Sequence, residues 1–143
     1  MAEQVDCRVA LLPIKPKYVR SILDGEKTVE FRRKTFSSRV DYVVIYASSP
    51  VKKVVGYFRV GAVTRHSPDT IWQEYADCGG ISEVEFRTYY SGAPEAVAIE
   101  VGELFILARP MSLCELSVPP RAPQNFRYVE SSVLARLGHL QRQ

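Results

Sequence analysis

Histidine and cysteine are scarce in this chain of 143 residues, with two of the first and three of the second, and much site chemistry near neutral pH draws on those two side chains. His66 and His139 have no cysteine or histidine at ligand spacing, so no zinc cage is encoded. A Ser-His-Asp triad would have to be assembled on one of these two imidazoles. Cys7, Cys78 and Cys114 are odd in number and far apart, which excludes a disulfide framework. No apolar run approaches the roughly 20 residues that a membrane span requires. The apolar run nearest the start, Val9 to Leu12, is cut by Pro13 and followed by Lys15 and Lys17, unlike a signal peptide. A cytoplasmic protein with no membrane partner is expected. Internal repeats, low-complexity tracts and composition breaks are also missing, so residues 1–143 read as a single domain.

What is present is an ordinary globular composition, 46% hydrophobic and 24% charged, in a chain long enough to bury roughly two-thirds of its unfolded surface. The formal charge of +3 hides an asymmetry. Residues 1–66 hold thirteen basic and six acidic side chains (+7), and residues 67–143 hold six basic and ten acidic (−4). Every lysine lies at or before Lys53. A one-sided positive field attracts phosphates and other anions, unless folding interleaves the two halves over one surface.

Cys7 to Leu12 reads as a buried strand stopped by Pro13. Pro16 then opens a helix with Val19, Ile22 and Leu23 on one face and Gly25 as its left-handed stop. Thr28 to Arg33 alternates, setting Val29 and Phe31 against Thr28, Glu30 and Arg32, so one side is apolar and the other charged. Tyr42 to Tyr46 and Val54 to Val63 are β-forming runs, and Gly56 and Gly61 predict bulges or close backbone approaches in the second. Ser67-Pro68 caps a helix over Asp69 to Tyr75, Gly79-Gly80 breaks it, and Ser82 with Glu85 forms a capping box for a short helix ending near Tyr90. Glu95 to Leu107 returns to strand before Pro110 ends it, and Ser131 caps a last helix reaching Leu140. The expected fold is α+β, a small mixed β-barrel of five to six strands decorated by short helices.

The densest polar cluster is Gly25-Glu26-Lys27-Thr28-Val29-Glu30-Phe31-Arg32-Arg33-Lys34. It places Lys27 at a helix-to-strand turn and then projects Glu30 and Arg32 together from one strand face. Read plainly, these are a solvated turn lysine and an exposed strand pair. Read functionally, Lys27 stabilises developing negative charge, Glu30 orients or acts as a general base, and Arg32 offers a planar fork to phosphate or a base edge. Lys15 and Lys17 stand just upstream. Tyr46, Ser48 and Ser49 follow an apolar strand, where a turn can aim amides and hydroxyls at a phosphate. The proline-stiffened leader through Pro119, Pro120 and Pro123 ends at Gln124-Asn125-Phe126-Arg127-Tyr128, a mixture suited to stacking a base and bonding its edge. Within it Phe126 reads as an anchor, and Gln124 and Arg127 as site residues.

With these residues in view, the chain resembles the ASCH domain, a branch of the PUA-like superfamily, whose G-x-K-x-x-E-x-R motif is met by Gly25, Lys27, Glu30 and Arg32. Ile14-Lys15-Pro16-Lys17-Tyr18, Ile45-Tyr46-Ala47-Ser48-Ser49-Pro50 with Gly56, and Gln124 to Tyr128 extend the resemblance over residues 8–130, towards small prokaryotic members. The resemblance implies a β-barrel whose cleft, lined by the motif, binds RNA. It also implies activities found within the family: some members are ribonucleases, and others remove the acetyl group from acetylated cytidine. In those amidohydrolases the active-site lysine matches Lys27, but the threonine nucleophile falls where this chain has Glu30, and a carboxylate is a poor substitute for a hydroxyl that must be acylated.

Three classes of function follow. One is a module that binds RNA or a modified nucleobase through the basic cleft, with no cofactor. Another is an enzyme acting on RNA or nucleosides, a ribonuclease before an N4-acetylcytidine amidohydrolase, with a divalent metal entering only if it is a ribonuclease. The last is a non-catalytic regulator that meets a small metabolite or a protein. Nothing in the sequence specifies the oligomeric state.

Overall fold

The computed structural model describes residues 7–139. Six strands form one mixed sheet: β1 (Val9–Ile14), β2 (Val29–Arg32), β3 (Tyr42–Ala47), β4 (Lys53–His66), β5 (Ala96–Met111) and β6 (Arg127–Val129), in the spatial order β2-β5-β4-β3-β1-β6. β1 and β3 run parallel and the other neighbours antiparallel. Four helices accompany them, α1 (Pro16–Leu23), α2 (Pro68–Tyr75), α3 (Glu83–Tyr89) and α4 (Ser132–His139). The architecture is α+β. The described pairings leave the sheet open between β2 and β6, while register shifts in the long β4–β5 ribbon, at Val54/Gly56, Phe58/Val60 and Val60/Val63, increase its bend and twist in a barrel-like way.

Alternation along the central strands distributes side chains to two cores. Val9, Leu11, Val44 and Tyr46 face a cluster completed by Leu113, Leu116, Val133 and Leu137. Ala10, Leu12, Val43 and Ile45 face the opposite way, against Val19 and Ile22 of α1. A third cluster joins Val29 and Phe31 of β2 to Ile71, Tyr75, Phe86 and Tyr90 of α2, α3 and the turn after it. Each fully buried leucine, isoleucine or phenylalanine contributes about 1.5–3 kcal/mol, so α3 is fixed against β2 largely by Phe86, which is 0% exposed.

The helix boundaries follow the caps. Ser67 Oγ accepts from Thr70 N and Ser82 Oγ from Glu85 N, as the sequence predicts. The last helix ends at His139 within the described residues, and Leu140 lies outside them. Two strands run further than the prolines predict. β1 continues through Pro13 to Ile14 because β6 pairs only as far as Leu11, leaving the proline without a ladder partner on that side. β5 continues through Pro110 to Met111 because that residue falls in the irregular stretch between the Ile106–Gly56 and Met111–Val54 pairings. No helix among the described residues is long and apolar enough to cross a membrane.

Candidate functional site

Gly25, at φ +84°, turns the chain from α1 back towards β2, and the amides of Glu26 and Lys27 both bond to Ser21 O at 3.0 Å. Thr28 N is then held by Cys78 O at 2.9 Å. This turn drives the Lys27 side chain inward beneath Gly79 and Gly80. Its ammonium is 2% exposed, donates to Gly79 O at 2.5 Å, and lies 5.1 and 4.9 Å from the ring centroids of Tyr18 and Phe31. It faces Glu30 Oε1 across 4.0 Å, an ion pair too long for a direct hydrogen bond. Burial pushes the Lys27 pKa below the ordinary lysine value, against the opposing pull of the Glu30 charge.

Glu30 is 5% exposed, so neither it nor Lys27 is the solvated group of the plain reading. Its Oε2 accepts from Arg32 Nη1 at 3.1 Å. The same guanidinium donates from Nη1 to Pro13 O at 3.2 Å and from Nη2 to Asn125 O at 2.8 Å, tying β1, β2 and the segment before β6 together. Arg32 thereby braces Glu30 while most of its fork is spoken for.

These groups open into a cavity of about 560 Å³, within the roughly 300–1,000 Å³ common for small-molecule sites. Lys15 and Tyr18 form one wall, at the start of α1. Ile81, Val84 and Tyr89, from α3 and the loop before it, form the other. Gln124 and Asn125 close one end. The cavity is therefore apolar and aromatic at the sides and ionic at its floor.

The sequence-predicted residues divide accordingly. Lys15, Lys27, Glu30, Arg32 and Gln124 share the cavity. Lys17 is outside the lining, where it pairs with Glu85, a residue of the rim. That pairing raises the Lys17 pKa and lowers that of Glu85. Tyr46 points into the core formed with Val9, Leu11 and Tyr57, and does not line the cavity. Ser48 and Ser49 are also off the lining; Ser48 N bonds to Ile14 O at 2.9 Å and so holds the turn against the end of β1. Arg127 bonds to Pro119 O and Arg121 O, at 3.5 and 2.9 Å, which organises the proline-rich leader instead of reaching the cavity. Phe126 packs edge-on to Phe36, 5.1 Å between centroids, as an anchor.

Sequence reasoning missed Tyr18, Arg33 and Tyr89 as lining residues. Arg33 Nη1 donates to Tyr89 O at 2.8 Å and Arg33 N to the Tyr89 hydroxyl at 3.2 Å, fixing a cation and a ring at the rim. The available signal was the 3.6-residue period of α3, which sets Glu85, Thr88 and Tyr89 on neighbouring positions of one face. A divalent metal finds a poor donor set here. The lining carboxylates are Glu30 and Glu85, both already paired with cations, and no group of three or more His, Cys, Asp or Glu that could hold a metal exists among the described residues.

A bent mixed sheet thus carries a cavity beside β2 and the short helices α1 and α3, an α+β architecture. Residues 12–107 match the family model of the ASCH domain, and the chain belongs to that family. It is 33% identical over 102 residues to the "ASCH domain-containing ribonuclease" of Zymomonas mobilis, covering 68% of this chain and 67% of that one. The crystal structure of ASCH from Zymomonas mobilis superposes with a TM-score of 0.82 at 28% identity, covering 94% of this chain and 96% of that one. The chain is also 30% identical over 129 residues to large ribosomal subunit protein uL22 of Ureaplasma parvum serovar 3, which spans 90% of this chain but 41% of that protein.

Proposed function

We propose that this protein binds single-stranded RNA in the cytoplasm, with one base, ordinary or modified, seated over Lys27 and Glu30. The observation that carries this reading is the buried Lys27 ammonium with one hydrogen bond among the described residues, separated by 4.0 Å from a carboxylate oxygen inside an aromatic-walled cavity. Lys27 can donate to an acceptor and Glu30 Oε1 can accept from a neighbouring donor. The Watson–Crick edge of a nucleobase presents such an acceptor beside a donor. Tyr89, 38% exposed on the rim, offers a ring for stacking, and Lys15 and Arg33 are placed for the flanking phosphates.

Anisotropy of a labelled single-stranded RNA tests this directly. Binding is expected at about 50 mM salt, with log K falling by about 0.7 per phosphate contact for each tenfold rise in salt. Lys27→Met is expected to weaken it at least tenfold. A flat salt dependence, or no binding at low salt, refutes the reading and leaves the metabolite- or protein-binding regulator in its place.

A second reading, RNA cleavage, is favoured by the name of the Zymomonas mobilis relative. In it Glu30 removes the proton of the neighbouring 2′-hydroxyl, whose oxygen bonds to phosphorus as the bond to the 5′-oxygen breaks; Lys27 stabilises charge on the phosphate, and the departing 5′-oxygen takes a proton from water. Arg32, engaged with Glu30, Pro13 and Asn125, orients the base and leaves phosphate holding to Lys15 and Arg33. Cleavage that survives Glu30→Gln in purified protein refutes this reading without touching the first.

A further inference from the structure

A second concavity, of about 420 Å³, lies between the segment following β2 and the middle of β4. Its lining includes the hydroxyl residues Thr35, Ser37 and Ser38 and the guanidinium residues Arg39 and Arg65, and no acidic side chain. Arg65 is aimed by a bond from its Nη2 to Phe36 O at 3.1 Å. Arg39 is 72% exposed and leans on Asp41 at 3.3 Å, a carboxylate outside the lining whose other oxygen accepts from Arg8 N. Ser37 is fixed by the Tyr128 hydroxyl, 3.2 Å from its amide nitrogen. Thr35 Oγ1 is buried and has no hydrogen-bond partner among the described residues. Buried hydroxyls are ordinarily satisfied, so an unmet hydrogen-bonding group stands just behind the wall of this concavity.

The two concavities share one short stretch of chain. Arg33 lines the first and Thr35 the second, so their Cα atoms are at most about 7 Å apart. Exposed Lys34 lies between them. We propose that the second concavity holds a backbone phosphate of the same RNA strand whose base occupies the first, with Arg39 and Arg65 as its charged donors and the exposed Ser38 as a hydroxyl donor. Guanidinium forks and hydroxyls suit a tetrahedral oxyanion, and no carboxylate residue is among those that line the concavity, although Asp41 pairs with Arg39 from outside it. This inference rests on the RNA-binding reading and extends it from a single nucleotide to a path along a strand.

The test compares a mononucleotide, too short to reach the second concavity, with a single strand of about ten nucleotides. The double variant Arg39→Gln/Arg65→Gln is expected to bind the long strand about tenfold more weakly, with the salt slope reduced by about 0.7 for the one phosphate no longer neutralised. Its mononucleotide affinity is expected to equal that of the unmodified protein. Because Arg65 also supports Phe36 O, Arg39→Gln alone, which loses only an exposed pairing with Asp41, serves as the milder variant; a smaller fall in slope and in long-strand affinity is expected from it. Ser38→Ala gives an independent readout: removing an exposed hydroxyl is expected to leave the urea midpoint of the free protein unchanged while weakening long-strand binding. If the unmodified protein binds both ligands and the variants leave long-strand affinity and slope unchanged, the second site is refuted and the first reading stands. If the unmodified protein binds neither ligand, both fall. If inorganic phosphate shifts the Ser37 and Ser38 amide resonances but the long strand does not, the concavity serves a different anion and the proposal is overturned.

Discussion

Gly80 supports the Lys27 side chain directly, and adding one methyl group there tests whether the ammonium is seated by that support. At φ +63° an alanine carries the strain of the left-handed region, about 1–2 kcal/mol. Its Cβ would also stand 2.7 Å from Lys27 Cβ and 2.9 Å from Cγ, well inside the roughly 3.5–4.0 Å at which carbons rest. Both atoms belong to the root of the lysine side chain, so the clash cannot be relieved by swinging the ammonium alone. Overpacking of this kind costs about 1–3 kcal/mol. Gly92 provides the matched control, since it sits at φ +76° and a Cβ there meets nothing within 4 Å. Gly92→Ala is therefore expected to lower the unfolding free energy by about 1–2 kcal/mol, and Gly80→Ala by about 2–5 kcal/mol, in urea titrations with a common m-value. The functional arm is sharper. Gly80→Ala displaces Lys27 from Gly79 O and from its gap opposite Glu30, so RNA affinity is expected to fall about tenfold, the equivalent of roughly 1.4 kcal/mol, and Gly92→Ala is expected to leave it intact. Equal stability losses in the two variants, or undiminished RNA affinity in Gly80→Ala, would refute the role assigned to the Gly80 backbone.

Two further outcomes follow from the ionic floor of the cavity. Burial lowers the Lys27 pKa from its unfolded value of 10.5, so unfolding takes up a proton between the folded and unfolded values, and this contribution to stability rises with pH through that window. The urea midpoint of the unmodified protein is expected to gain on that of Lys27→Met as the pH rises towards 10.5, and a constant difference would refute the assignment. Tyr90, whose burial pushes its pKa up, acts in the opposite sense above pH 10 and is common to both proteins. Arg32→Lys keeps the charge but loses the fork that reaches Pro13 O, Glu30 and Asn125 O, with an expected loss of about 2–3 kcal/mol. Faster limited proteolysis between Ser117 and Phe126 is expected to accompany it; unchanged stability and cleavage rate would show that the fork ties nothing together.

What the sequence revealed, and what it did not, separates by the range of the forces involved. Caps and turns are local: Ser67, Ser82, Pro16 and Gly25 act within four residues of themselves, and the helices begin or end where those residues direct. The two prolines misled because strand continuation depends on partners far away in the chain. Pro13 is tolerated by the shortness of β6, more than a hundred residues downstream, and Pro110 by a register shift against β4. Neither condition is written near the proline.

The site divides in the same way. That Lys27, Glu30 and Arg32 act as a unit is legible from spacing, since a turn and two alternate strand positions suffice to bring them together. Their burial is not legible, because the groups that cover them are remote: Gly79 and Gly80 cover the lysine from about fifty residues away, and Asn125 closes over Arg32 from 93. Burial in turn decides the chemistry. An exposed lysine, glutamate and arginine on a strand edge would be three independent charges screened by water, each with its ordinary affinity for protons and ions. Enclosed, they become a fixed dipolar floor whose gap between ammonium and carboxylate is held at 4.0 Å by the backbone above and the guanidinium beside it. Tyr46 and Arg127 show the converse: each has a side chain suited to a phosphate or a base, but the core around Tyr46 and the carbonyls gripped by Arg127 engage them elsewhere, while the backbone bond from Ser48 to Ile14 holds the Ser48-Ser49 turn off the cavity. Residue type nominates a site, and the distant segments that fold over it determine which nominees can meet a ligand.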